Sequence, residues 1–306
     1  MVELASEAKP QSFREHLASV GFSDLMTVVA AGAVRVGARR VLAIHGANPE
    51  ELQIVFKAEA GKTPRTVADL QSGKLINGII EKVFPENRIN EEETGVHEGV
   101  KYTWNVDPLD GTSSFAENQR YSTTGIIVYE GDKPKVATIC HPFERELLVA
   151  EAGKGAFIFP LNEKLEINGP AKRLEVSTKN NLSGGAVYLD ALYNTKTTPP
   201  KLELQKRLVE LSQGNLGFRM TGSNMDQQRQ IAAGRGLLTI TDAVGGFWDI
   251  ATGGLIIQEA GGIMIDGQTG EPITEKTQVA VGGSKALVEQ VLPLIQECYE
   301  GYEGFK

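Results

Sequence analysis

Trp104-Asn105-Val106-Asp107-Pro108-Leu109-Asp110-Gly111-Thr112-Ser113-Ser114 is the stretch from which the chain is best read. It sets two carboxylates three residues apart, with Pro108 fixing φ between them and Gly111 free to turn the backbone. The preceding residues 102–106 (Tyr-Thr-Trp-Asn-Val) are aromatic and β-branched and suit a strand. Asp107 and Asp110 are thus expected at a strand end, facing one small volume. Two carboxylates about 4 Å apart repel by roughly 4 kcal/mol at an effective dielectric near 20. Protons or cations must fill such a gap. Hard oxygen ligands with no neighbouring thiolate or imidazole favour Mg²⁺ over zinc.

The chain of 306 residues suits one large domain or two packed ones. Hydrophobic content of 41% and charged content of 23% are ordinary for a soluble globular protein. Cys140 and Cys298 lie too far apart in sequence for a metal pair or a disulfide framework, so a reducing cytoplasm is expected. No run of about 18 apolar residues predicts a membrane span, and residues 1–11 lack the pattern of a signal peptide. A net charge of −8 argues against nucleic acid as a partner. It does not exclude a phosphate substrate, because cations on a carboxylate cluster invert the local field.

Working outward, residues 23–44 read as a helix with Ser23 as a candidate N-cap, and residues 66–84 as a second, amphipathic one. Segments 102–106, 125–129, 135–139, 146–150 and 156–159 read as strands of a mostly antiparallel sheet. A boundary is expected near residues 168–173, giving an N-terminal half 1–170 and a C-terminal half 171–306. The second half alternates: strands at 186–189 and 237–241, helices at 201–211, 223–233, 248–260 and 284–297, hence an α/β layer. Residues 194–200 read as a surface loop beside a cleft.

Two more acidic sites stand out: Glu91-Glu92-Glu93-Thr94-Gly95, after the second helix, and Trp248-Asp249-Ile250-Ala251, with Glu259-Ala260-Gly261-Gly262 beyond it. Asp249, at a helix start, is favoured by the helix dipole. Each has a plain alternative: a solvated triple-Glu face, a tight turn at 107–111, a simple helix cap at Asp249. Ser113 and Ser114 lack a nearby histidine to serve as base, which argues against a covalent serine. His16, His45, His97 and His141 show no ligand spacing.

The residues 107–112 (Asp-Pro-Leu-Asp-Gly-Thr) and 248–253 (Trp-Asp-Ile-Ala-Thr-Gly), in that order, resemble the two signatures of the inositol monophosphatase family. That family lies within the Mg²⁺-dependent, lithium-sensitive phosphatases that include fructose-1,6-bisphosphatases and 3′-phosphoadenosine-5′-phosphate phosphatases. The resemblance spans about residues 23–297. It implies a layered α-β-α-β-α sandwich and two or three Mg²⁺ per site. Metal ligands are implied at Glu93 (with Glu92 as the alternative register), Asp107, the Leu109 carbonyl, Asp110 and Asp249. Thr66-x-x-Asp69 is similar to a segment whose aspartate pairs with a threonine, here Thr112, to activate water; Asp69, Thr112 and Glu93 are the implied catalytic residues. Residues 219–224 resemble the segment lining the alcohol pocket, so Gly111, Thr112, Gly222, Ser223 and Asp242 are the implied substrate-binding residues.

The chain departs from the family pattern at Thr63, at the polar insertion 194–200, and at Asp242, where inositol-hydrolysing members carry a longer glutamate. All three bear on the alcohol half of the substrate rather than on the metals. The expected activity is phosphomonoester hydrolysis by in-line attack of water on a small phosphorylated polyol or sugar, inositol monophosphate first. The alternatives are fructose bisphosphate, 3′-phosphoadenosine 5′-phosphate, or a regulatory binding role on the same fold. The resemblance also implies a homodimer.

Overall fold

The computed structural model describes residues 11–56, 64–190, 198–243 and 245–302. Thr63 and residues 194–197 lie outside them. The chain opens with α1 (Phe13–Ala18), α2 (Leu25–Ile44) and α3 (Pro49–Leu52), then β1 (Val55–Phe56) and β2 (Pro64–Arg65), which pair, and α4 (Val67–Val83). There follow β3 (Arg88–Glu91), β4 (Gly95–His97), β5 (Thr103–Asp110), α5 (Thr112–Ala116), β6 (Thr123–Glu130), β7 (Lys133–His141), β8 (Glu146–Glu151), β9 (Gly155–Pro160) and β10 (Lys172–Arg173). The remainder is β11 (Gly185–Leu189), α6 (Thr198–Leu211), β12 (Leu216–Arg219), α7 (Asn224–Ala232), β13 (Leu238–Asp242), α8 (Trp248–Glu259), β14 (Ile263–Asp266), β15 (Val279–Gly283) and α9 (Lys285–Cys298).

Two sheets organise these elements. The first has eight strands in the order β10-β9-β8-β7-β6-β5-β3-β4, antiparallel except where β3 lies parallel to β5. The second has five, β12-β11-β13-β15-β14, parallel around β11 and antiparallel around β15. One core joins α2 and α4 to the outer face of the large sheet, through Ala30, Val34, Ile76, Trp104 and Val128. A second packs α7 and α8 between the sheets, with Met225, Ile250 and Ile256 against Ile139 and Leu148. A third puts α6 and α9 on the far face of the small sheet, through Leu204, Leu208, Val291 and Ile295. The five layers are α-β-α-β-α. Each apolar stripe has one sheet face to cover, which is why the helical periodicity in the sequence carries through to layers. Among the described residues no helix is long and apolar enough to cross a membrane.

Several local expectations shift. Asp24, not Ser23, caps α2, its carboxylate accepting the Met26 N–H at 2.7 Å. Helix α6 starts at Thr198 and takes Pro199 and Pro200 into its first turn, where proline has no helical N–H to withhold. Strand β5 continues past Val106 to Asp110. Strands β12, β14 and β15 are short runs that the periodicity did not separate from loops. The sheets themselves divide between Arg173 and Gly185.

Gly253 shows how tightly the middle layer is built. A Cβ there would clash with Gln228 Cβ and Oε1, so α7 and α8 approach over a bare backbone. That close approach fixes the first turns of both helices beside the end of β5.

Candidate active site

In a regular strand residues three apart point to opposite faces. Asp107 and Asp110 escape that rule through a bulge. Asp107 pairs with Gly125 and Asp110 with Thr123, so four residues of β5 face three of β6. Pro108 sits inside the bulge, where its missing N–H costs no ladder bond. Its carbonyl accepts the Ser72 hydroxyl at 2.9 Å and the Thr124 hydroxyl at 3.1 Å. Gly111, at φ +87°, then turns the chain into α5.

Asp110 is tied to the start of α7. It accepts the Ser223 hydroxyl at 2.6 Å, the Met225 N–H at 2.7 Å and the Asn224 N–H at 3.2 Å. Asp249, in the first turn of α8, accepts the Gly245 N–H at 2.7 Å. Asp107, Asp110 and Asp249 are all buried and offer carboxylate oxygens within 4.8 Å of one another. Burial and mutual repulsion push Asp107 and Asp249 well above the ordinary carboxylate range. Burial also raises Asp110, to about 6, although three hydrogen bonds at the start of α7 pull the other way. Three buried acids around one gap call for protons or a cation between them. An all-oxygen donor set of this kind fits Mg²⁺.

Glu92, rather than Glu93, borders this gap, with Asp107 and Asp110. Its charge adds to the upward shift of Asp107, Asp110 and Asp249. The reason is local. Glu91 turns inward and accepts the Glu93 and Thr94 N–H groups at 3.0 and 3.1 Å, closing its own turn. Glu93 is left beside Arg65, whose Nε lies 3.9 Å away. Of the two registers the sequence offers, Glu92 is the one that borders the gap. Leu109 borders the cavity and is fully buried.

Thr66 and Asp69 form a reciprocal capping box at the start of α4. Asp69 accepts the Thr66 N–H at 2.7 Å, and its other oxygen lies 2.9 Å from the Thr112 hydroxyl. The Leu109 carbonyl is 3.0 Å from that same hydroxyl. Full burial lifts Asp69 to about 6, against its hydrogen bonds from Thr66. Asp69 and Thr112, distant in sequence, thus meet as the resemblance implies.

Gly111, Thr112 and Gly222 border the cavity. Ser223 and Asp242 do not. The Ser223 hydroxyl is spent on Asp110 and on capping α7, where it accepts the Asp226 N–H at 3.1 Å. Asp242 is buried elsewhere, with Lys201 Nζ 2.6 Å from its Oδ2. That geometry engages the Ser223 hydroxyl and turns Asp242 toward Lys201. Asn224 borders the cavity instead. The resembling segment ends on this residue, and its place one step after the cap was the available signal. Ser113 also lines the cavity, but none of the described lining residues is a histidine. His141 is buried 3.6 Å from Asp226, and His97 pairs with Glu81 at 3.3 Å.

The order of these parts along the chain matches a known family model, the inositol monophosphatase family, over residues 24–300. The chain belongs to that family. Nus factor SuhB of Pasteurella multocida is 29% identical over 238 residues, covering 76% of this chain and 82% of that protein. Inositol monophosphatase 2 of Saccharomyces cerevisiae is 30% identical over 239 residues, covering 74% and 78%. Among solved structures, the extragenic suppressor protein SuhB of Bartonella henselae superposes with a TM-score of 0.79 at 23% identity, covering 90% of this chain and 99% of that one. An IMPase of Thermotoga maritima gives 0.72 at 23%, covering 89% and 96%. These likenesses establish the layered family fold.

Proposed function

We propose that this inositol monophosphatase family member is a Mg²⁺-dependent phosphomonoesterase acting on a small phosphorylated polyol or sugar, inositol monophosphate first. The observation that carries the reading is the set of three buried aspartates beside the Thr112–Asp69 pair. Asp107, Asp110, Asp249, Glu92 and the Leu109 carbonyl would hold two or three Mg²⁺. Bound there, the ions would polarise the phosphate and acidify water.

The chain's own residues supply the rest. Thr112 Oγ1, oriented by Asp69 Oδ1, takes a proton from the attacking water as it passes its own to Asp69. A carboxyl raised to about 6 suits this exchange near neutral pH. Gly111 and Thr112 border the cavity where phosphate oxygens would lie. A homodimer in the cytoplasm belongs to the same reading.

The test is a phosphate-release panel of myo-inositol 1-phosphate, fructose 1,6-bisphosphate and 3′-phosphoadenosine 5′-phosphate, with Mg²⁺ and with EDTA. Release that requires Mg²⁺ and is lost in Asp110→Asn supports the reading. No Mg²⁺-dependent release from any of them overturns it and favours a binding role. Several similar proteins carry the name Nus factor rather than an enzyme name.

A further inference from the structure

Glu92 and Glu93 are neighbours, yet one borders the aspartates and the other meets Arg65. The hairpin loop that carries them is short. Glu91, the last residue of β3, pairs with Gly95, the first of β4, and residues 92–94 span the turn between them. Gly95, at φ +79°, completes it. The Glu91 carboxylate takes three donors from this loop: the Glu93 N–H at 3.0 Å, the Thr94 N–H at 3.1 Å and the Thr94 hydroxyl. Glu91 itself is only 1% exposed. Hydrogen bonds to a charged acceptor are the strong kind, and three of them on one buried carboxylate fix the loop around it.

Helix α4 supplies the seat. A Cβ on Gly73 would lie 3.0 Å from Glu91 Oε1 and 3.1 Å from its Cδ, so the carboxylate rests against bare helix backbone. The same helix holds Thr112 through Asp69 and the Pro108 carbonyl through Ser72. On the loop side, Thr94 Oγ1 lies 3.2 Å from His97 Nε2. The Thr94 hydrogen is given to Glu91, so its oxygen accepts and His97 donates. His97 Nδ1 is 3.3 Å from Glu81 Oε1, which returns the chain of contacts to α4. The Glu81 and His97 side chains are half exposed and add little. The hydroxyl of Thr94 is the member on which the clasp depends.

We propose that Thr94, by clasping the Glu91 carboxylate against Gly73, is the positioning residue that aims Glu92 at the aspartates and so sets the affinity for Mg²⁺. The inference rests on reading Glu92 as a cation ligand of the proposed phosphatase. Thr94 does not border the cavity and acts only through Glu91.

The experiment titrates Mg²⁺ into the metal-free full chain by calorimetry, and measures Tm in EDTA and phosphate release against Mg²⁺ concentration. Thr94→Val keeps the size and the N–H and removes the hydroxyl. It is expected to weaken Mg²⁺ binding by about tenfold or more, and to raise the Mg²⁺ needed for half-maximal release by a similar factor. Thr94→Ser restores the hydroxyl and is expected within about threefold of wild type. A threonine that only supports the fold would lower Tm in EDTA and leave Mg²⁺ affinity unchanged, and that result in Thr94→Val overturns the proposal. So does a Thr94→Ser variant that binds as weakly as Thr94→Val. Should Thr94→Val not fold, Gly73→Ala presses on Glu91 from the α4 side and is expected to weaken Mg²⁺ binding by about threefold or more. Wild-type affinity in Gly73→Ala then overturns the proposal. Wild type that binds Mg²⁺ and releases no phosphate overturns the phosphatase reading alone, and wild type that binds no Mg²⁺ overturns both.

Discussion

Replacing Asp249 by asparagine should stabilise the metal-free protein while removing most of its response to Mg²⁺. Asp249 lies within 4.8 Å of both Asp107 and Asp110, oxygen to oxygen. At that distance and an effective dielectric near 20, each pair of full charges repels by about 3.5 kcal/mol. The penalty is not realised in full, because one carboxyl can take up a proton. Holding that proton at neutral pH costs about 1.4 kcal/mol per unit between its ordinary pKa and pH 7, which caps the relief near 4 kcal/mol. The substitution gives up a favourable helix-dipole contact of about 0.3–1 kcal/mol. The oxygen of the new carboxamide can still accept the Gly245 N–H. The net expectation is roughly 2–3 kcal/mol in favour of the variant in EDTA, or about 5 °C or more in Tm for a chain of this size. In wild type, Mg²⁺ at a hundred times its Kd should add about 2.7 kcal/mol, and the variant should lose much of that. Differential scanning fluorimetry in EDTA and in Mg²⁺ reads both effects, and the order of the two proteins should narrow or invert between the two buffers. A variant less stable than wild type in EDTA, with an undiminished Mg²⁺ shift, would refute the idea that these carboxylates share one cation site.

The same repulsion sets a pH dependence. Acids raised in the folded state bind more protons there than in the unfolded chain, so stability is lost as pH climbs from the ordinary pKa of 3.8 toward the folded value, about 6 for Asp110. The Tm advantage of Asp249→Asn in EDTA should therefore grow from about pH 5 to about pH 7, and an advantage that shrinks over that range would contradict the assignment. Thr112→Val should cut kcat by about a hundredfold or more while leaving the Mg²⁺-induced Tm shift intact, since only the hydroxyl beside Asp69 is lost. Glu92→Gln should weaken Mg²⁺ activation by about tenfold or more, and Glu93→Gln by less than about twofold; a metal titration of phosphate release that ranks them the other way would restore the register assigned to Glu93 from sequence.

Much of this site was legible because its chemistry is local. An Asp-Pro-Leu-Asp-Gly run after a strand leaves few arrangements for its two carboxylates, and Thr66 with Asp69 is a capping box written in four residues. The bulge in β5 was not legible, though Pro108 causes it, because strand parity also depends on where β6 pairs. The choice between Glu92 and Glu93 was hidden for a plainer reason. Three identical side chains follow one another, and only the inward turn of Glu91 onto the N–H groups of Glu93 and Thr94 decides which of the others faces the gap between the aspartates.

Asp242 is the instructive case, since its side of the sheet could have been read. Leu238, Ile240 and Asp242 alternate with Thr239 and Thr241, and an aspartate in phase with two core residues needs a buried partner. What the sequence could not supply was Lys201, placed by a helix that begins earlier than its prolines suggest. Matching by position assigns Asp242 to the substrate pocket; strand parity turns its side chain toward Lys201. The acids that remain at the cavity are those set by a bulge, a strand end and a helix start. These are the places where a backbone can turn several like charges inward without pairing them to a resident cation. That selection explains why Asp107, Asp110 and Asp249 come together around one gap.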